Sequence, residues 1–579
     1  MTDICKAESK EFLYRRIIMA IASSIIVQFF FMSCIILITN LSILHPLTWI
    51  QDTWKIITCF RTWSYFIILA TLIFLQGIIC SKNYLNKPLY LKSRFVIFCN
   101  MLTPHNLLVG GLHILIGGVL VWLHLSVAGG KYSSLTAACQ TLDGSCLVEE
   151  HYFLLLGGFW TGLYYFAKTN FFNFQYLQFP IIPQSKFSKM KRGVIKSLPS
   201  AMLSAIWLTL YFAVFYYFLG GYCRKAILAI FFMSLETLPL DRLSGLFNVS
   251  LLFHLWLYAA LFVITMNTMH LLFQAYLTEW VPFDIGQCSV FKNESSGLTL
   301  PEILTMEKVP IMQHLGYLDL MTLAQKDKNR RSVLFTLSQP GGHPYNWNSV
   351  VEKCLALIKK FTNDLNEACS AKKDQQPAAI SHMQVAGTHL YETTKLYHMR
   401  NLMTPKISSP IATAPSTTQQ AAPNEQFIIQ FFQNKKQSFI KYLLSKPLIF
   451  YIFGEQSDSK VSYILNNSQP VIWAAEAISS LSAISLKEDP YGIVQKDISS
   501  IIETLLALKQ ALDKLQKTAI LVKKSQNEEK VTRLTAASLR SATKRSIYRI
   551  TNAFRYYIKD LALEQVTLEQ LQSFLMYRE

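Results

Sequence analysis

The sequence has few charged residues, and it has fewest where its hydrophobic stretches are longest. Only 16% of its 579 residues are charged, whereas soluble domains contain about 25%. Asp, Glu, Lys and Arg are absent from residues 249–274. A helix that rises about 1.5 Å per residue would carry this stretch across a hydrocarbon core about 30 Å thick. The composition therefore predicts a chain that crosses a membrane several times.

The sequence also lacks the short motifs that mark common enzymes and nucleotide-binding proteins. HExxH, GxSxG, CxxC, GxGxxG and the Walker phosphate loop do not occur. Within the proposed spans, acidic and basic residues occur only at the ends, so no charged path for an ion or a substrate is evident. We therefore expect no catalytic residue, no metal ligand and no cofactor, and we interpret the chain as a structural protein rather than an enzyme.

Basic residues outnumber acidic ones, with 55 Lys and Arg against 36 Asp and Glu. In a protein with several spans, such an excess more often reflects contact with an anionic membrane surface than nucleic-acid binding. We therefore expect a lipid bilayer as a partner and no direct contact with nucleic acid.

Six apolar stretches are candidates for membrane spans, although the second and fourth are short. Lys and Arg are more numerous in the N-terminus and in the second and fourth loops than in the odd-numbered loops. Because basic loops stay on the cytosolic side, both termini and the even-numbered loops are predicted to face the cytosol. The predicted spans are residues 17–38, 63–80, 107–128, 151–167, 198–221 and 249–274.

Polar residues inside the spans leave a transporter or channel as the alternative function. Four histidines lie in the interior of the spans, and such groups sometimes mark a transport path. Histidines that form hydrogen bonds between helices are the more usual outcome, and we favour that interpretation. A membrane enzyme that acts on lipids would need a polar partner for a histidine, and Asn267 is the candidate for it. The histidines are His113, His124, His254 and His270.

Glycines in the third and fourth spans predict close helix packing. Gly158 and Gly162 are four residues apart and therefore lie on one face of the fourth span. Pairs of glycines at 110–111 and 117–118 would let a neighbouring backbone approach the third span. We predict that these two spans pack tightly through their glycines.

Two loops carry further candidate sites. In the third loop, Cys139 and Cys146 could form a disulfide in an oxidising lumen, and two free thiols are the equal alternative. The fourth loop is rich in proline and aromatic residues and ends in a basic cluster. It would suit either contact with an anionic leaflet or an ordinary cytosolic loop. The cluster consists of Lys186, Lys189, Lys191 and Arg192.

After residue 281 the sequence is typical of water-facing helices interrupted by one linker rich in Pro, Ser, Thr, Ala and Gln. Residues 448–453 are apolar but too short to span a membrane, and we favour domain core over a segment that dips into the bilayer. The fold class is thus all-α: a six-span helical bundle, then a helical half with a disordered linker. The domains are a cytosolic N-terminus (1–16), a transmembrane domain (17–281), a first cytosolic helical segment (282–370), a flexible linker (371–424) and a C-terminal helical domain (425–579).

Candidate partner-docking residues lie in the water-facing half. A turn with two prolines and two glycines forbids a helix between two helical stretches. His343 in this turn has no nucleophile or carboxylate at a diagnostic spacing, so we interpret it as part of a turn rather than a catalytic site. The candidates are Pro340, Gly341, Gly342, His343, Pro344 and Trp347 at the turn, and Phe431, Phe432, Trp473 and Tyr548 in the last helices.

Several motifs, in one order along the chain, together resemble the polytopic membrane-ring nucleoporins of the nuclear division cycle family. The run Ser-Gln-Pro-Gly-Gly-His-Pro, with Trp347 after it, is the most specific of them. The supporting motifs are LHPLTW (44–49), FPII (179–182), YFLG (217–220), PLDRLSGL (239–246), IWAAE (472–476) and SIYRI (546–550).

This resemblance implies a multi-pass protein of the nuclear envelope that belongs to the nuclear pore complex, with six spans and cytosolic termini. It implies a helical half that tethers scaffold nucleoporins, including an Aladin-type propeller and a membrane-binding RRM nucleoporin, and that supports pore assembly. It supplies no catalytic residue. The alternative is a multi-pass transporter or channel of the endoplasmic reticulum or nuclear envelope.

Overall fold

Helices make up nearly all of the regular structure in the residues that the structure describes. A computed structural model describes residues 3–41, 45–87, 89–128, 132–138, 145–171, 177, 179, 185–231, 240, 248–285, 298–337, 342–374, 446–454, 459–520 and 528–576. The predicted all-α class is confirmed.

The first half of the chain contains the long apolar helices. Two three-residue strands, β1 (Thr136–Ala138) and β2 (Ser145–Leu147), pair antiparallel between the third and fourth predicted spans. The helices are α1 (Asp3–Thr39), α2 (Pro46–Thr58), α3 (Phe60–Leu85), α4 (Arg94–Met101), α5 (Pro104–Ala128), α6 (Glu149–Phe171), α7 (Lys186–Phe231) and α8 (Val249–Leu277).

Five of the described helices, α1, α3, α5, α7 and α8, are long and apolar enough to cross a membrane. The fourth predicted span coincides with α6, which is not among the five. Its sequence contains Glu149, Glu150 and Lys168 near its ends and polar aromatic residues between them. The prediction of six spans therefore stays a prediction. Helix α7, by contrast, is 46 residues long and at about 1.5 Å per residue exceeds any bilayer core.

Helices α5 and α6 cross at their glycines. A Cβ atom added to Gly158 would lie 2.6 Å from the carbonyl oxygen of Gly117, and one added to Gly162 would overlap the backbone of His113. The two backbones therefore touch where the sequence places its glycines. This is the close approach that small residues permit between membrane helices.

A buried ion pair joins α6 to α7 at the end of the membrane bundle farthest from the chain's second half. Glu149, which is 1% exposed, accepts hydrogen bonds from Arg224 at 2.7 Å and from the hydroxyl of Tyr216 at 2.8 Å. The backbone N–H of Leu240 donates to its other oxygen at 3.1 Å. The span boundaries predicted from sequence missed this cluster, because Glu149 and Arg224 fall just outside them.

The second half of the chain forms a helical bundle that we call the soluble bundle. Helix α10 packs on α15, α15 on α17, and α12 on both α15 and α16. Helices from both sides of the predicted linker thus share one core. The helices are α9 (Leu300–Leu304), α10 (Pro310–Lys326), α11 (Lys328–Leu334), α12 (Tyr345–Asp374), α13 (Pro447–Phe453), α14 (Ser459–Asn466), α15 (Gln469–Glu488), α16 (Ile498–Ile520), α17 (Glu528–Ala553) and α18 (Gln565–Leu575).

Two segments of the second half differ from the boundaries predicted from the sequence. Helix α12 continues to Asp374, past the predicted start of the linker at 371, and the rest of the linker lies outside the described residues. The expectation that residues 448–453 belong to the domain core is wrong, since no residue of α13 is buried. Helix α13 instead packs against α4 of the membrane domain.

Candidate docking platform and its attachment to the membrane domain

A buried carboxylate fastens the soluble bundle to the end of the last span. Asp319 on α10 is 0% exposed. One oxygen accepts from Nε1 of Trp280 at 3.1 Å, and the other accepts from the backbone N–H of Phe283 at 3.0 Å. The guanidinium of Arg330 donates to both oxygens, at 2.9 and 2.7 Å. Because Trp280 and Phe283 follow α8 directly, we call this arrangement the Asp319 clamp.

Arg330 completes the clamp from the next helix. Its guanidinium also donates to the carbonyl oxygen of Phe283 at 2.5 Å. Burial by itself would lower the pKa of Arg330, but the hydrogen bond and the charge of Asp319 outweigh it, and the net shift of the pKa is upward. The arginine therefore stays charged and bidentate, which is the strongest geometry for a carboxylate partner.

Basic side chains cap the C-terminal end of α8. Arg16 on α1 donates to the carbonyl oxygens of Leu277 and Glu279, the latter at 2.9 Å. Lys189 donates to the carbonyl oxygen of Gln274 at 3.1 Å. Lys186 forms an ion pair with Glu279 at 2.7 Å. Cations are favoured at a helix C-terminus, where carbonyl groups lack partners.

Two of the four basic residues predicted to lie on the membrane surface have protein partners instead. Lys186 and Lys189 hold the end of α8, whereas Lys191 and Arg192 are exposed at the start of α7. Contact of the cluster with lipid stays a prediction.

The fourth loop also reaches into the soluble bundle. The ring of Phe179 stacks on His314 of α10, with centroids 4.7 Å apart, and meets Trp473 of α15 edge-on at 6.0 Å. A loop between two predicted spans thus supplies a side chain to the core of the second half. Trp473, predicted as a docking residue, is 1% exposed, so its side chain serves this junction.

The buried His314 should make the junction sensitive to acid. Burial lowers its pKa to about 4 from the ordinary 6.5, and nearby Lys87 acts in the same direction. The unfolded chain then binds a proton between pH 6.5 and 4 that the folded chain does not, so stability is complete above pH 6.5 and falls as the pH drops through this window.

We expect His314 to cost about 2 kcal/mol of stability between pH 7.5 and pH 5. Unfolding temperatures of the purified chain in detergent, measured across this range, should fall less steeply for His314→Gln than for the parent. Parallel curves for the two proteins would contradict the prediction.

The predicted docking turn lies at one end of the soluble bundle. Pro340 and Gly341 lie outside the described residues. Gly342, His343 and Pro344 lead into α12, and the backbone N–H of Asn348 donates to the carbonyl oxygen of Pro344 at 3.0 Å. Of the described turn residues, His343 is exposed and the other two are half-buried.

Trp347 is buried behind the turn and fixes it to the segment before α16. Its side chain is 0% exposed, and Nε1 donates to Asp497 at 2.9 Å. Next to it, Asn346 donates to the carbonyl oxygen of Val333 at 3.2 Å. The end of α11, the start of α12 and residues 489–497 are therefore joined at one place.

An ion pair closes the same end of the bundle. Arg331 of α11 donates to both oxygens of Glu488, at 3.1 and 3.0 Å. The hydrogen bond and charge of Arg331 lower the pKa of Glu488. Side chains that neighbour these residues in the sequence are exposed to solvent. We call this surface the turn face and define it by Val333, His343, Tyr345 and Tyr491.

The remaining predicted docking residues differ in their placement. Tyr548 of α17 is half-buried. Phe431 and Phe432 lie outside the described residues. Near Tyr548, Arg545 donates to Glu476 at 2.6 Å, so part of the basic surface of α17 is used within the bundle. Tyr345 and Tyr491 have no distinguishing signal in the sequence, because an exposed tyrosine next to a turn cannot be told from a buried one by spacing.

A cavity of about 450 Å³ lies in the membrane bundle. It is lined by the last turns of α3, α6 and α8 and by the first turns of α5 and α7, so it occupies the end of the bundle nearest the soluble bundle. Buried side chains such as Phe153, Phe212, Leu255 and Tyr258 fill the other end. Polar residues that line the cavity include His113, Lys168, Asn170, Ser197, Asn267 and His270.

Polar side chains in the spans mostly bond to each other or to their own helix. Nε2 of Gln76 on α3 lies 3.0 Å from Nδ1 of His113 on α5. The hydroxyl of Tyr165 on α6 donates to Oδ1 of Asn267 on α8 at 3.1 Å. His124 and His254 instead bond to carbonyl groups one turn earlier on their own helices. Among the described residues, no group of three or more potential ligands could hold a metal ion.

Of the two cysteines in the third loop, the structure describes Cys146. Cys146 is disulfide-bonded and lies opposite Ala137 in the small hairpin. Cys139 lies outside the described residues, so its pairing with Cys146 stays a prediction.

The fold and these attachment points define a class of protein. Long apolar helices form a membrane bundle, and a helical bundle is fastened to one end of it through the fourth loop and the segment that follows α8. This is a polytopic membrane protein whose second half is held against the spans.

Comparison with known proteins identifies the family. The model of the family described as "Nucleoporin protein Ndc1-Nup" matches residues 11–572. The chain therefore belongs to the Ndc1-Nup family and is a transmembrane nucleoporin of the nuclear pore complex, which confirms the resemblance found in its motifs.

Full-length relatives agree with this assignment. The chain is similar to Nucleoporin NDC1 of Homo sapiens, with 26% identity over an alignment 672 residues long that covers 99% of each protein. It shares 29% identity over 581 residues with Nucleoporin Ndc1 of Drosophila melanogaster, covering 97% of each. Nucleoporin NDC1 of Xenopus laevis is 27% identical, with 97% of this chain and 98% of the relative covered.

Proposed function

We propose that this nucleoporin is a structural anchor of the nuclear pore complex. Its spans, six in number with both termini in the cytosol, hold it in the pore membrane. Its soluble bundle binds scaffold nucleoporins and supports pore assembly. The observation that carries the proposal is the Asp319 clamp, which joins the soluble bundle directly to the end of α8.

A fastened bundle suits an anchor better than a bundle on a free linker. Confinement to the membrane raises the effective concentration of weak contacts, provided that the geometry lets them engage together. The clamp, the Arg16 contacts and the Phe179 junction set the distance and orientation of the bundle relative to the bilayer. Partners bound to it would therefore be presented at a fixed height above the pore membrane.

The turn face is the docking surface that we propose within this bundle. Tyr345 is 50% exposed and Tyr491 is 62% exposed. The backbone N–H of Tyr491 donates to Asp489, and Tyr345 lies two residues before Trp347, whose indole donates to Asp497. Exposed tyrosines on a rigid frame are common anchors of protein interfaces. The resemblance suggests the occupants, which are an Aladin-type propeller and a membrane-binding RRM nucleoporin.

We expect the double substitution Tyr345→Ala and Tyr491→Ala to weaken binding of the propeller nucleoporin by about tenfold or more. The full-length chain in lipid nanodiscs would be immobilised and titrated with the purified propeller. The loss arises because two aromatic anchors no longer bury their rings against the partner.

Tyr556→Ala provides the matched control, since Tyr556 is 87% exposed and follows α17 rather than the turn. Its affinity should equal that of the parent. If the double variant also binds normally, the turn face is not the propeller's docking site. Loss of binding in all variants alike would indicate misfolding, which the unfolding temperature reports separately.

Transport is the second candidate, and the polar cavity is the observation that favours it. A transporter needs a path that continues through the bundle. Among the described residues, large buried side chains such as Phe153 and Phe212 occupy the end opposite the cavity. Solute flux through proteoliposomes of the purified chain would support transport, whereas an anchor gives none.

A further inference from the structure

Two short helices from distant parts of the chain expose their apolar side chains side by side. Helix α4 follows the second predicted span, and α13 belongs to the second half of the chain. Neither helix contains a buried residue. Their exposed apolar side chains are Phe95, Val96 and Phe98 on α4, and Leu448, Phe450, Tyr451, Ile452 and Phe453 on α13.

Direct contacts make these side chains one surface. The rings of Phe95 and Phe453 have centroids 4.7 Å apart. The guanidinium of Arg94 lies 3.6 Å from the centroid of the Tyr451 ring, a distance typical of a cation–π contact. We call this surface the α4–α13 patch.

The soluble bundle holds α13 in this position. Helix α14, which follows it, packs on α12, and Lys460 of α14 forms an ion pair with Glu367 of α12 at 3.2 Å. Tyr463 of α14 contacts Tyr90, in the linker that leads into α4, with centroids 5.6 Å apart. The patch is therefore a built feature of the fold, because both of its helices are tied to neighbouring elements.

Chain connectivity determines what faces the patch. Helix α4 begins at Arg94, shortly after α3 ends at Leu85, and α5 begins at Pro104. Both α3 and α5 are long and apolar enough to cross a membrane, so α4 lies in the short connection where one span leaves the bilayer and the next enters it. An apolar helix at that depth meets the boundary between lipid headgroups and acyl chains.

Charge and composition agree with a lipid occupant. Lys92 precedes α4, Arg94 is its first residue, and Lys446 precedes α13. Cations next to apolar and aromatic side chains are typical of surfaces that bind anionic leaflets. Exposed apolar side chains that form a contiguous patch commonly mark an interaction site, and a membrane is one such partner.

We propose that the α4–α13 patch inserts into the leaflet on the side of the soluble bundle. The second half of the chain then touches lipid itself, in addition to being carried by the spans. This inference goes beyond the anchor function, because it requires no partner protein and would hold if the turn face bound nothing.

The test uses the full-length chain reconstituted into vesicles of phosphatidylcholine and phosphatidylserine. A fluorescent amino acid is placed at Leu448, and the vesicles contain lipids brominated in their acyl chains. We expect brominated lipids to reduce the emission at least twofold. The same fluorophore at Tyr556, which is exposed elsewhere in the second half, should keep its emission.

A pair of polar substitutions separates insertion from mere proximity. Phe450→Ser with Ile452→Ser should abolish the quenching at Leu448 while the protein remains folded. Leu534→Ser, at a 62% exposed position of α17, should leave the quenching unchanged.

Two results would overturn the proposal. Emission at Leu448 that responds to aqueous iodide but not to brominated lipid would place the patch in water. Emission that responds to neither quencher would mean that protein, such as a second copy of the chain, covers the patch instead of lipid.

Discussion

Replacing Asp319 with Leu should destabilise the soluble bundle by about 3–5 kcal/mol. The side chain is fully buried and accepts hydrogen bonds from Trp280, Phe283 and Arg330. Leucine has a similar volume but leaves the guanidinium of Arg330 without its charged partner, and breaking one side of a buried pair costs far more than the pair itself contributes. Since a whole domain is stable by only about 5–15 kcal/mol, the yield of folded chain should fall sharply.

The measurement is the unfolding temperature and the monodisperse yield of the full chain in detergent. Asp327→Ala is the control, because Asp327 is a nearby carboxylate that caps α11 by accepting from the N–H of Arg330 at 3.1 Å. Loss of such a cap costs only about 1 kcal/mol. Adding Arg330→Leu to Asp319→Leu should recover part of the loss, since no charge is then left unpaired. Equal losses for the Asp319 variant and the control would show that the clamp does not dominate the attachment.

The second large effect is expected in the membrane bundle, where Gly158→Leu with Gly162→Leu should nearly abolish folded protein. Added side chains at both positions would meet backbone atoms of α5, which cannot rotate away as a side chain can. The helices would have to separate along their whole contact, and the packing between them would be lost.

Gly111→Leu is an unusually close control for this experiment. It makes the same substitution in the partner helix α5, yet a Cβ at Gly111 meets nothing within 4 Å. Gel filtration of a fluorescent fusion would give a normal peak for this variant and an aggregated or absent peak for the double variant. Normal peaks for both would mean that the glycine contact is not needed for folding.

Much of the fold could be predicted from sequence because membranes impose a simple rule. Backbone groups in lipid must be satisfied within a helix, so a long uncharged stretch such as 249–274 has essentially one solution. The glycines of α5 and α6 were equally informative, since little but close packing explains their spacing. Helix α6 has a weaker span signal in the sequence, because Glu149 and Lys168 near its ends lower its hydropathy.

The attachment of the two halves could not be predicted. Asp319, Arg330 and Phe179 have no distinctive local pattern, and their meaning depends on side chains far away in the chain. Trp347 and Trp473 were predicted as docking residues because they lie at the turn and in the last helices, but position in the sequence does not separate a core residue from an interface anchor. Only the fold shows that both are buried and that Tyr345 and Tyr491 are exposed.

The ion pair between Lys460 and Glu367 bears on which insertions and deletions the chain can tolerate during evolution. Together with the packing of α14 on α12, it brings the end of α12 and the start of α14 close to each other. The linker that the sequence predicts at residues 371–424 lies between these two helices, and doubling the length of a flexible loop costs only about 0.6 kcal/mol. Insertions or deletions there would be thermodynamically cheap and would leave the helices on either side in register.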